Sequence, residues 1–238
     1  MRKTLLIFCA WCLFQPTLVA QPLADSTQHR AGFRPFIAPV VLMTGGLVTQ
    51  GQLSQKVQNQ VLKRFGPVDV KVDDILQVAP TVVMLGLGTA GVRGKHGLKD
   101  QIILTLLAHG VAQGVTHGLK AIVAYPRPDG VGNEAFPSGH TSLAFTGAAL
   151  LANEYNGRSV WYGIGGYGVA TTVGALRVLQ NRHWLADVLF SAGVGIGATE
   201  GVYAIYPWLQ RKVFKGRNSA FLPIYNGYSA GVCWVVIL

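Results

Sequence analysis

The sequence predicts an all-α protein, a polytopic membrane helical bundle of about five to six spans. Three observations carry this. Half of the 238 residues are hydrophobic and only 13% are charged, against about 25% charged in an ordinary soluble domain. The mean hydropathy is +0.36. The 30 glycines fall largely in apolar segments, where small residues let helices approach closely in lipid. At this length a single domain is the simplest organisation.

Five segments are the expected spans. Residues 75–92 are apolar throughout, with Pro80 near the start. Residues 102–124 are long enough to span but carry His109, Gln113, Thr116, His117 and Lys120. Residues 141–152, 160–176 and 184–208 complete the set. The last two are rich in glycine, including Gly193-x-Gly195-x-Gly197. That triplet is no dinucleotide fingerprint, because neither a preceding strand nor a βαβ unit accompanies it.

The N-terminal region reads differently. Met1-Arg2-Lys3, an apolar stretch over 4–14, and Thr17-Leu18-Val19-Ala20 before Gln21 have the three-part form of a secretory signal over residues 1–20; an uncleaved anchor is the alternative. Residues 21–74 form an N-terminal periplasmic or interfacial segment. Within it, 36–48 is apolar but short of the ~20 residues a spanning helix needs, so it is re-entrant, interfacial or buried. Residues 50–71 are polar with periodic Leu53, Val57, Val61 and Leu62, as in an amphipathic surface helix. The core covers 75–208. The tail, 209–238, alternates loosely and either packs on the bundle or lies at the interface. With Cys9 and Cys12 inside the signal, Cys233 is the one remaining thiol, which leaves no intrachain disulfide.

The net charge is +10, but the bases are scattered among loops beside apolar segments. Such a distribution speaks for topology and attraction to anionic lipid, and against a nucleic-acid partner. Arg93, Lys95 and Lys99 precede the second span, and Arg211, Lys212, Lys215 and Arg217 follow the last. By the positive-inside rule both clusters are cytoplasmic. Lys120, residues 125–140, Arg177 and His183 then gather on the opposite face, the periplasmic side of a bacterial inner membrane.

Three short blocks bear the chemistry: Lys120 with Arg127-Pro128, then Pro137-Ser138-Gly139-His140, then Arg177, His183 and Asp187 spaced as R-x5-H-x3-D. Together they offer three fixed cations, two imidazoles, a carboxylate and a Ser-Gly turn opening a helix. Cations and helix N-termini neutralise a phosphoryl group. One imidazole can attack phosphorus while the other protonates the leaving oxygen. His183 and Asp187, four apart at a helix start, share a face; an Asp bonded to one ring nitrogen fixes the tautomer and frees the other nitrogen to attack, which makes His183 the expected nucleophile. Lys120, Arg127 and Arg177 are the expected phosphate clamp, Lys120 being a costly charge inside an apolar helix. Arg158 and Arg182 read as membrane-edge anchors.

These blocks closely resemble the signature of the type 2 phosphatidic acid phosphatase (PAP2) family, K-x6-R-P, P-S-G-H and S-R-x5-H-x3-D. Ten of the eleven signature residues are present in order, the exception being Leu176 in place of Ser. The gap from Pro128 to Pro137 is short for the family. The resemblance spans 75–208. It implies a membrane phosphatase bundle in which His140 is the general acid, and Ser138 and Gly139, with Pro128 beside Arg127, belong to the phosphate-binding set. It also implies a lipid phosphate monoester or pyrophosphate as substrate: lipid A, undecaprenyl diphosphate, phosphatidylglycerol phosphate or phosphatidic acid.

Two other readings use the same residues: a lipid phosphotransferase, and a non-catalytic membrane protein with an anion site. Binding alone, however, needs neither two histidines nor an Asp partner. A metal on His109 and His117 lacks further ligands at suitable spacing, so both are read as packing or interhelical hydrogen-bonding groups. No metal and no cofactor are expected. The oligomeric state is not encoded in any pattern of the sequence.

Overall fold

A computed structural model describes residues 33–66, 68–214, 219–225 and 230–236. The expected signal over 1–20 lies outside them. Among the described residues there are eight α-helices: α1 (Arg34–Thr49), α2 (Gln52–Phe65), α3 (Asp73–Leu76), α4 (Ala79–Thr89), α5 (Leu98–Val123), α6 (Gly139–Tyr155), α7 (Val160–Leu179) and α8 (Leu185–Leu209), the last running into a π-helical turn at Gln210–Phe214. The tail departs from the all-helical expectation. It forms an antiparallel hairpin of β1 (Ser219–Tyr225) and β2 (Ala230–Val236), with Phe221 opposite Trp234. Its loose alternation is the period of a strand.

The bundle is held by α8. Two of its glycines allow backbone-to-backbone approach on opposite sides. A Cβ on Gly193 would lie 2.7 Å from the Pro39 carbonyl oxygen of α1, and one on Gly195 would lie 2.6 Å from the Ser142 carbonyl oxygen of α6. Packing of this kind needs no hydrophobic drive from water and suits lipid. Met84, Leu104, Leu150, Leu151, Tyr155, Val202 and Tyr206 fill the core toward the end of the bundle away from the site. Ala144, Ala148, Ala170 and Val173 form a thinner contact between α6 and α7.

Among the described residues two helices, Leu98–Val123 and Leu185–Lys212, are long and apolar enough to cross a membrane. The pair Arg34–Thr49 and Gln52–Phe65 meets the test as one unit but is bent by 84°, the geometry of a broken span or a re-entrant loop. Among the described residues two or three helices thus qualify by length and composition, where the sequence led to an expectation of five to six spans. The cause is local. Pro80 in the first turn of α4 and Gly91 at φ 81 just beyond it confine that helix to 11 residues. Helix α6 is 17 residues long and α7, though 20, is diluted by glycine and tyrosine. The short apolar segment 36–48 does become α1, and 50–71 does hold the amphipathic α2.

Chain direction alternates, so α5 and α7 end where α6 and α8 begin. The far end is closed by a polar clasp. The buried Glu154 carboxylate accepts from His96 Nδ1 at 2.7 Å, from the His96 backbone N–H at 2.8 Å and from the Tyr203 hydroxyl at 2.6 Å. Arg93, Lys95 and Lys99, and Arg211 and Lys212 after α8, lie at this end, opposite the three motif blocks.

Candidate active site

The three blocks meet in one cavity of about 380 Å³, lined by His117, Lys120, Ala121, Arg127, Glu134, Gly139, His140, Arg177 and His183. Each enters from a helix end. Lys120 is in the last turn of α5, which stops at Ala124 in the left-handed region, φ 45. Its ammonium donates to the Glu134 carbonyl oxygen, so the lysine also holds the loop over residues 124–138. In that loop Pro128 sits at the second position of a turn closed by Gly130 N–H to the Arg127 carbonyl, 3.1 Å, where its fixed φ is favourable. Pro128 shapes the backbone carrying Arg127 and is not itself a lining residue.

Ser138 is the N-cap of α6. Its Oγ accepts from the Thr141 hydroxyl at 2.9 Å, and its own N–H donates to Ser191 Oγ at 2.6 Å. Ser138 is fully buried and, unlike Gly139 and His140, does not line the cavity. Of the cap and phosphate-ligand roles expected of Ser138, the geometry displays the cap, and the start of α6 lines the cavity through Gly139 and His140. A helix N-terminus offers free N–H groups and a favourable dipole to an anion.

The expected His183–Asp187 contact takes an altered form. His183 Nδ1 donates to the Ala135 carbonyl oxygen at 2.7 Å. Asp187 Oδ2 is 3.6 Å from the same nitrogen and accepts instead from the Trp184 backbone N–H at 2.8 Å, capping the first turn of α8. A backbone carbonyl therefore sets the tautomer, and the carboxylate adds charge beside it. Nε2 is left unprotonated in that tautomer. Burial pushes the imidazole below its ordinary value; the Asp187 carboxylate opposes that shift, and the Arg177 and Lys120 cations reinforce it. A neutral ring at neutral pH follows, which is the nucleophilic form.

Arg177 ends α7. A turn through Asn181, at φ 59, carries the chain to His183, and the Trp184 indole N–H donates to the Pro126 carbonyl at 2.9 Å. The loop and the start of α8 thus support each other. Arg182 pairs with Asp129 at 3.2 Å, a partner that its reading as a membrane anchor did not include. His117 lines the cavity and His109 Nε2 lies 3.0 Å from the Thr81 hydroxyl; of the two, only His109 fits the interhelical role expected of both.

A family model for the PAP2 superfamily matches residues 101–211, from the start of α5 through the end of α8. The matched region is of PAP2 superfamily type, in line with the three motif blocks it contains. A lipid A 1-phosphatase of Porphyromonas gingivalis is 34% identical to this chain over 151 residues, 63% of the chain and 33% of that protein. The chain thus spans about a third of that relative's length. Among solved structures, Aquifex aeolicus LpxE matches with a TM-score of 0.50 at 19% identity, over 66% of this chain and 98% of the other. The first transmembrane PAP2 type phosphatidylglycerolphosphate phosphatase from Bacillus subtilis matches with a TM-score of 0.51 at 18% identity, over 76% of this chain and 100% of the other. At these identities the structures bear on the fold alone, a helical bundle shared with both proteins.

Sequence reasoning missed four polar residues around this candidate site. Asp73 and Asp74 of α3 reach Arg177 and His140, with Arg177 Nη1 to Asp73 Oδ2 and His140 Nε2 to Asp74 Oδ1 both 2.8 Å. Ser54 and Gln58, one turn apart on α2, are buried. Ser54 Oγ accepts from the Ala186 N–H at 3.1 Å, and Gln58 Nε2 donates to the Val178 carbonyl at 3.0 Å and to Asn181 Oδ1 at 2.8 Å. The surface helix is therefore pinned to the turn that carries His183. A polar pair at i, i+4 among the apolar positions of α2 was the available signal. Asp73, Asp74 and His140 also offer three ligand atoms within 4.8 Å of one another, the one such group among the described residues. Both Asp73 oxygens, however, are already used by Arg177 and Gln180.

Proposed function

We propose that this PAP2 chain is a metal-independent lipid phosphatase that hydrolyses a lipid phosphate monoester or pyrophosphate at the periplasmic face of a bacterial inner membrane. The observation that carries the reading is the juxtaposition in one cavity of His183, its Nδ1 committed to Ala135, with Lys120, Arg127, Arg177 and His140. Three cations and the first turn of α6 suit a phosphoryl group, whose charge spreads over its oxygens in the transition state.

In this mechanism His183 Nε2 attacks phosphorus while His140 gives a proton to the departing lipid oxygen. A phosphohistidine and a free lipid alcohol or lipid phosphate result. Water then attacks the phosphohistidine, passing a proton to His140, and phosphate leaves. Asp187 balances the positive charge that develops on His183. The periplasmic assignment rests on the basic residues at the far end of the bundle, which the positive-inside rule retains in the cytoplasm. The kinship with a protein named lipid A 1-phosphatase makes lipid A the first substrate to try.

The test is phosphate release by purified protein in detergent from lipid A, undecaprenyl diphosphate, phosphatidylglycerol phosphate and phosphatidic acid. Hydrolysis of at least one, with acid-labile phosphate trapped on His183 from labelled substrate, is the expected result. Transfer of phosphate to a second lipid without release would make the protein a phosphotransferase, and binding without turnover would remove the enzyme reading.

A further inference from the structure

Helix α3 has four residues, and its two carboxylates face different partners. Asp73 is 1% exposed. Its Oδ2 accepts from Arg177 Nη1 at 2.8 Å and its Oδ1 from Gln180 Nε2 at 2.7 Å. Arg177 and Gln180 are themselves joined at 2.9 Å, so Asp73 fastens α3 to the last turn of α7. Asp73 is held below the ordinary carboxylate range: burial would raise it, but the hydrogen bonds from Gln180 and Arg177 outweigh that. Asp74, the next residue, is mostly exposed, yet its Oδ1 accepts from His140 Nε2 at 2.8 Å. Asp73 Oδ2 is 3.9 Å from the same nitrogen.

Building on the proposed phosphatase mechanism, we infer that Asp74 is the positioning residue of the general acid, with Asp73 the anchor that holds it there. An imidazole has two nitrogens, and a hydrogen-bond partner on one decides which is left for the reaction. Asp74 takes the Nε2–H of His140 and leaves Nδ1 to face the leaving oxygen. As the bond from phosphorus to the lipid oxygen breaks, the Nδ1 proton moves to that oxygen. The ring that remains is neutral and still bonded to Asp74 through Nε2–H. The water of the second step returns a proton to Nδ1. The arrangement parallels the one at His183, where Ala135 holds Nδ1 and leaves Nε2. The two histidines are thus fixed through opposite nitrogens.

The alternative use of these groups, a divalent ion on Asp73, Asp74 and His140, would have to displace Arg177 and Gln180 from Asp73. It would also occupy the nitrogen that Asp74 now holds.

The experiment compares kcat/KM of wild type, Asp74→Asn, Asp74→Glu, His140→Ala and the Asp74→Asn/His140→Ala double variant on two substrates. One is the lipid phosphate hydrolysed best; the other is p-nitrophenyl phosphate, whose leaving group needs no proton. Because kcat/KM reports steps through the first phosphoryl transfer, it isolates the acid. Asp74→Asn is expected to lose roughly 10- to 100-fold on the lipid, a part of the ~10²–10⁴-fold carried by a general acid. On p-nitrophenyl phosphate it loses far less, Asp74→Glu recovers part of the lipid rate, and in the His140→Ala background Asp74→Asn adds almost nothing. Equal losses on both substrates, or a loss that persists without His140, would overturn the inference and make Asp74 merely structural. Loss of wild-type activity in a chelator, restored by one metal, would replace it with an ion site. Were wild type inert on both substrates, the proposed function would fall, and the inference with it.

Discussion

Asp187 Oδ2 stands 3.6 Å from His183 Nδ1 and 2.8 Å from the Trp184 N–H it caps, while the Ala135 carbonyl accepts from Nδ1 at 2.7 Å. Orientation of the imidazole and its electrostatic support are therefore divided between a backbone oxygen and a carboxylate. Asp187→Asn should keep the α8 cap and the tautomer but lose the charge. An activity loss of about 10²-fold is expected, the usual scale of one preorganised electrostatic contact. A loss near ~10⁴-fold, the scale of a wrong tautomer in the Ser-His-Asp triad, would assign the tautomer to Asp187 instead. Steady-state kinetics with thermal unfolding in detergent separates the two.

His183→Ala should abolish turnover, by ~10³-fold or more, and leave the bundle folded. The wild-type pH profile carries the matching sign. The neutral ring attacks, and burial lowers its pKa from the ordinary 6.5. Activity should therefore persist as pH falls through 6.5 and be lost only below it, as the folded-state imidazole takes up its proton. An acid limb of kcat/KM centred above 6.5 would contradict the geometry of this buried ring.

Gly195→Ala should destabilise the bundle and displace the site. Its Cβ would meet Ser142 O at 2.6 Å and Thr146 N at 2.8 Å, both backbone atoms of α6, which cannot rotate away. A cost of about 1–3 kcal/mol is expected for such overpacking. Because α6 carries Gly139 and His140, kcat/KM should fall as well. Gly201→Ala, with nothing within 4 Å, is the control on the same helix and should behave as wild type in melting and in rate.

On the proposed mechanism activity should be insensitive to chelators, since Lys120, Arg127 and Arg177 bring to the cavity the positive charge that divalent ions provide elsewhere. Vanadate should inhibit by occupying the phosphate position. A specific metal requirement would point to Asp73, Asp74 and His140, the one three-ligand cluster among the described residues, and not to His109 and His117.

Sidedness can be read in intact cells. With Cys233 replaced, a Cys at Asn133, in the loop over the cavity, should react with an impermeant thiol reagent, and one at Gly97, in the far-end loop, should not. The reverse labelling would place the cavity in the cytoplasm and exclude a periplasmic substrate.

The sequence by itself determined which residue types stand at which spacing and the local frames that present them. A phosphate clamp needs Lys or Arg, a cap needs Ser, and a histidine and aspartate four apart share a helix face, so Lys120, Arg127, Gly139, His140, Arg177, His183 and Asp187 were legible as residue types at fixed spacing. Hydropathy likewise gave the membrane bundle, and did not show that Pro80 and Gly91 confine α4 to 11 residues. What holds those residues was decided by tertiary structure alone. Asp73 meets Arg177 across 104 positions, Gln58 meets Val178 across 120, and Ala135 meets His183 across 48. A carboxylate on a four-residue helix has no periodicity to mark its partner, and a backbone carbonyl has no side chain to read. Such contacts exist only once glycine-lined helices have closed to backbone distance around α8 and brought the ends of α3, α5, α6 and α7 to one place.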